Sequence, residues 1–78
     1  MQTTERPCFL WLRREYGLTS EQVAQEAGLP LADEYQAEIG CGVAPETAER
    51  VRAAFSRLTG KAWAMQETAI HIRKGENR

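Results

Sequence analysis

Histidine and cysteine are scarce in this chain, and their scarcity excludes most chemistry. There is one histidine, His71, and there are two cysteines, Cys8 and Cys41. A structural zinc site needs four nitrogen or sulfur ligands at close spacing, so no metal pattern is present. Two cysteines do not make a disulfide framework, and both are read as reduced, semi-buried thiols. There is no glycine-rich phosphate loop, and nothing would assemble a nucleophile, a base and an oxyanion hole. Adjacent Asp33 and Glu34 do not face one another on a helix, so they form no acid–base pair. The expectation is that the chain is not an enzyme and carries no cofactor.

Long apolar runs are also missing. The longest, Cys8 to Leu12, is far too short to span a membrane. With no secretory signal, the chain is expected in the cytoplasm. Repeats, low-complexity stretches and linkers are absent, and loose ends are expected only in the first five residues and over Gly75–Arg78. The 78 residues, 42% of them hydrophobic, suffice for one domain with a modest core. That domain is expected to take its core from about residues 7–60, with 61–78 as a C-terminal helix or tail and a dimer element.

Charge is unevenly spread. Residues 1–40 carry three bases against seven acids, and residues 41–78 carry seven bases against four. A charged partner will feel the two halves differently.

Helical punctuation recurs along the chain. Pro7 suits a first turn, and Phe9, Leu12 and Tyr16 share a face before Gly17 stops the helix. Thr19 and Gln22 have the spacing of a capping box, followed by a narrow stripe of Val23, Ala24 and Ala27 that Gly28 ends. Pro30 opens a third helix over residues 31–39, closed by Gly40 and Gly42. Pro45 opens a fourth of about 14 residues, with Ala48, Val51, Phe55 and Leu58 inward and Gly60 at its end. The last segment reads as a helix from Ala62 to about Thr68. Its tail, Ala69–Arg73, is either a further turn or a short edge strand. Together these predict an all-α bundle of four to five short helices.

The second and third helices, joined through Gly28-Leu29-Pro30, have the spacing of a helix-turn-helix. Ala24 would let the third helix cross closely, and Leu29 would plug the angle between the two. Here the sequence resembles Cro/CI-type (XRE) helix-turn-helix domains, which have the lambda-repressor-like fold. Leu12-Arg13-Arg14-Glu15-Tyr16-Gly17-Leu18-Thr19 is similar to the end of their first helix. Ser20-Glu21-Gln22-Val23-Ala24-Gln25-Glu26-Ala27-Gly28-Leu29 continues the likeness. Glu38 and Gly40 fall where the family often has a Glu and a Gly, and residues 43–51 resemble its fourth helix.

The resemblance implies a dimeric regulator of transcription that binds double-stranded DNA, its third helix in the major groove and the start of its second on the backbone. Ser20 would then meet phosphate, and Leu31, Ala32, Asp33 and Gln36 would face base edges. Arg13 and Arg14 either flank a phosphate or stand solvated on the first helix. Arg50, Arg52 and Arg57 are expected to pair with Glu46 and Glu49. Lys61, Arg73, Lys74 and Arg78 form a mildly basic end. Trp11 is expected partly exposed, as an interface anchor. Trp63 is core or dimer interface, and Met65, Ile70 and Ile72 are the other dimer candidates.

One departure from the family is sharp. Residues 17–40 contain five acids and no lysine or arginine, whereas DNA affinity comes mostly from neutralised phosphates. Glu34 also falls where the family has a core isoleucine, and an unpaired carboxylate would not be buried there. The third helix is therefore expected either to be rotated, with Leu31, Tyr35 and Ile39 inward, or to be poorly formed. The alternative reading is a degenerate helix-turn-helix that binds a basic protein through the acidic surface of its second and third helices.

Overall fold

The computed structural model describes residues 8–73, so Pro7, Lys74 and both expected loose ends lie outside the described residues. Five helices follow one another: α1 (Phe9–Glu15), α2 (Ser20–Ala27), α3 (Leu31–Glu38), α4 (Pro45–Thr59) and α5 (Met65–Thr68). The chain is an all-α bundle, as its punctuation predicts.

The boundaries follow from local chemistry. At the start of α2, the Gln22 backbone N–H donates to Thr19 Oγ1 at 3.1 Å, and the Thr19 N–H donates to Gln22 Oε1 at 2.8 Å. Two otherwise unpaired helix donors are thus satisfied reciprocally. Gly28 ends α2 in the left-handed region, at φ 70°. From there the Leu29 N–H reaches back to the Ala24 carbonyl and the Gly28 N–H to that of Gln25. This turn sends the chain through Pro30 into α3. Ala24 is buried at the crossing, and Leu29 packs half-buried against the core.

The core gathers around α4. Phe9 and Leu12 of α1, Val23 and Ala27 of α2, and Ala37 of α3 pack with Val51, Ala54 and Phe55 of α4. Phe9 and Phe55 meet edge to face, with ring centroids 5.0 Å apart. Tyr16 is 39% exposed, yet its ring also meets Phe55 edge-on at 5.5 Å.

The C-terminal segment differs from expectation. The helix begins at Met65 rather than Ala62 and ends after one turn, because Ala69 adopts φ 60°. Beyond it the edge-strand alternative holds in its smallest form. Ile72 makes an isolated parallel bridge to Val43, with the Val43 N–H donating to His71 O at 3.0 Å and the Arg73 N–H to Val43 O at 2.7 Å. Gly42 makes room for this bridge, since a Cβ there would stand 3.2 Å from Arg73 Cα. Among the described residues, no helix is long and apolar enough to cross a membrane.

The turn between α2 and α3 sets a prediction. A Cβ at Gly28 would meet only Arg50 Nη1, at 3.7 Å, so the cost of Gly28→Ala comes from the left-handed backbone alone. The expected loss is about 1 kcal/mol, or roughly 4–8 °C in Tm for a domain this small. Gly28→Asn should lose less. A thermal melt of Gly28→Ala that matches the parent would show that this turn is not held as described.

Candidate nucleic-acid interface

Helix α3 turns one face to solvent and one to the interior, and the division runs opposite to expectation. Glu34, Ala37 and Glu38 are fully buried. Leu31, Tyr35 and Ile39 are 46%, 48% and 42% exposed. The helix is therefore neither rotated to bury its large apolar residues nor poorly formed. It buries two carboxyl groups instead.

Arg13 of α1 makes this arrangement possible. Its Nε lies 2.9 Å from Glu38 Oε2, with only 12% of the arginine side chain exposed. Its Nη1 donates to the Leu18 carbonyl. Arg13 is thus neither a phosphate contact nor a solvated arginine; it is the counter-charge of a buried acid. Glu34 is the neighbour of that pair. Burial, together with the adjacent Glu38 carboxylate, pushes the Glu34 pKa up to about 9, against the opposing pull of Arg13. Both effects favour the uncharged form of the Glu34 carboxyl at neutral pH.

The remaining acids of residues 17–40 are Glu21, Glu26 and Asp33. Arg57 of α4 reaches across to α2, its Nε on Glu26 Oε2 and its Nη2 donating to the Glu26 carbonyl. The expected pairing of Arg57 within α4 is thus replaced by one between helices. Arg50 and Arg52 do pair as expected, with Glu46 and Glu49 respectively. Arg52 holds the Glu49 carboxyl below its ordinary range. Glu21 and Asp33 are left as outward charges beside α3.

The sequence-derived contact residues cluster on that outward side. Ser20, Glu21, Leu31, Ala32 and Tyr35 line an open, mainly apolar groove of about 460 Å³ between the start of α2 and α3. Asp33 and Gln36 line a smaller pocket of about 160 Å³ on the other flank, with Val43, Ala44, Thr47 and Arg73. Every residue expected to face bases is exposed, and Ser20 is half-buried. Arg14 is exposed and stands over the Trp11 ring, 5.5 Å from its centroid. Trp11 is 48% exposed, as expected. Tyr35 and Thr47 were not anticipated as surface contacts.

The C-terminal dimer candidates are mostly occupied within the chain. Ile70 is buried, and Trp63 and Met65 pack against the core. The Trp63 ring lies 5.6 Å from Tyr16 and 5.3 Å from Phe55, its Nε1 donates to Thr59 Oγ1, and Lys61 Nζ stands 4.5 Å above it. Ile72 remains exposed, at 41%. The two thiols are free but unlike: Cys8 is buried and Cys41 exposed, in place of two semi-buried groups.

No family model, curated protein or solved structure matches this chain.

The buried acid has a measurable consequence. An unfolded glutamate loses its proton near 4.5, whereas Glu34 keeps its own to about 9. Between those values the folded chain binds more protons than the unfolded one. The stability contributed by Glu34 is therefore complete below 4.5 and is lost as pH rises toward 9. Glu34→Gln, which cannot ionise, should flatten the decline of Tm across this window. An unchanged slope in the variant would contradict the assignment.

Proposed function

We propose that this chain is a DNA-binding transcriptional regulator of the helix-turn-helix type, with α3 in the major groove and the start of α2 against the backbone. The observation that carries this reading is the fate of the acids. Glu38 is paired with Arg13, burial favours the uncharged form of Glu34, and Glu26 is paired with Arg57. The solvent face of α3 is charged only at Asp33, so the repulsion implied by five acids is reduced to that of Glu21 and Asp33. The likeness to Cro/CI-type domains supports the same reading: by that resemblance Ser20, Leu31, Ala32, Asp33 and Gln36 would correspond to contact positions. Phosphate neutralisation falls to Arg14 and Arg73, the latter beside Gln36 in the smaller pocket. No catalytic role or cofactor is part of this reading.

A second reading is favoured by a different observation. The groove between α2 and α3 is mainly apolar and has Glu21 at its edge, a combination that suits a basic protein segment.

Fluorescence anisotropy with a pool of random duplexes separates the two. Binding should appear at about 50 mM salt and weaken steeply by about 200 mM, as counterion release requires. Arg73→Ala should weaken all duplexes alike and reduce the log–log salt slope by about one. Absence of duplex binding at the lower salt would leave the protein-binding reading.

A homodimer presenting two copies of α3 to paired half-sites belongs to the same proposal. Its contact would lie at exposed Ile72 and Trp11, since Ile70 is inside the core. Sedimentation velocity at high micromolar concentration should give a dimer mass, and a monomer throughout would remove this part.

A further inference from the structure

We infer that α3 is a reader of thymine: Leu31, Ala32 and Tyr35 receive the C5-methyl groups of an A·T-rich duplex, and Gln36 hydrogen-bonds adenine beside them. This rests on the DNA-binding reading above and adds to it the class of sequence recognised.

The outward arc of α3 can make some base contacts and not others. Guanine is most often read by the fork of an arginine or by a lysine on its O6 and N7. Residues 17–40 contain neither, so that contact is absent from both helices of the motif. What faces outward instead is apolar. Leu31 and Tyr35 are each about half exposed, one turn apart, and with Ala32 they line the groove closed on its far side by Ser20 and Glu21. The apolar feature of a major groove is the thymine methyl. Gln36 lies one turn on from Ala32 and is exposed, and its amide can accept and donate at once to adenine N6 and N7. The methyls and the glutamine thus select the same base pair from its two sides.

A second copy of the chain fits this groove poorly. A two-fold contact through α3 would bring the uncompensated acids Glu21 and Asp33 of one copy toward those of the other.

The test removes the methyl and nothing else. The full chain is used to select duplexes from a random pool, and each thymine of the selected site is then replaced by deoxyuridine. The selected sites should be A·T-rich. Affinity should fall about fourfold for each contacted methyl, the loss expected for burying one fewer methylene-sized group. Leu31→Ala, at an exposed position, should fold normally and make its site indifferent to the replacement. Arg73→Ala should weaken thymine and uracil duplexes equally. Tight duplex binding that is unchanged by deoxyuridine, or selection of G·C-rich sites, would overturn the inference while leaving DNA binding in place. Capture of a basic peptide with no duplex bound at low salt would overturn both.

Discussion

Two glutamates, one arginine and the water they exclude determine how α3 sits. Taking a carboxylate out of water costs several kcal/mol unless it is paired or neutralised. Here both remedies are used at once. Glu38 lies against the Arg13 guanidinium, and burial shifts Glu34 toward its uncharged form. Because these side chains lie one turn apart on the same face, their burial orients the whole helix. Ala37 completes the inward face, and Leu31, Tyr35 and Ile39 are carried to the surface. Removing Arg13 would leave a buried charge without a partner, a far greater cost than the pair itself contributes.

The same orientation defines the surface the protein presents. A face that reads as acidic along the chain is, in space, mostly apolar, with Asp33 and Gln36 as its polar members. The Arg57–Glu26 pair extends the effect, drawing one more acid of α2 toward α4. Exposed ion pairs of this kind contribute little stability. The consequence of the Arg57–Glu26 pair is electrostatic, because it removes one uncompensated negative charge from α2.

At the opposite end, aromatic rings do the joining. Phe9, Tyr16, Phe55 and Trp63 form a connected set of edge and tilted contacts, and Lys61 covers Trp63 and Tyr16. This brings the segment after α4 back onto α1. From there the bridge between Ile72 and Val43 places Arg73 next to Gln36. The basic C-terminal half thereby supplies a positive group to a motif that contains none of its own.

Local order was legible from residue types. Thr19 and Gln22 announce the start of α2, Gly28 its end, and Pro45 with the stripe through Phe55 the length and inward face of α4. These signals act over a few residues, through backbone hydrogen bonds and helical periodicity, so the all-α class and the turn between α2 and α3 could be read directly. The rotation of α3 could not. Its two candidate inward stripes, one apolar and one acidic, are distinguished only by Arg13, on another helix 25 residues from Glu38 in the chain. For the same reason Ile70, a dimer candidate by its apolar character, is found buried, and of the two alternatives for Trp63 the core one holds: an apolar side chain does not reveal whether its cover comes from its own chain or from a second copy. Residue order alone set the bounds of α2 and α4, through caps and glycine stops, but not the start of α5. Which charges are buried and which apolar groups face water emerged from the folded arrangement, because both depend on partners that meet only once the chain has folded.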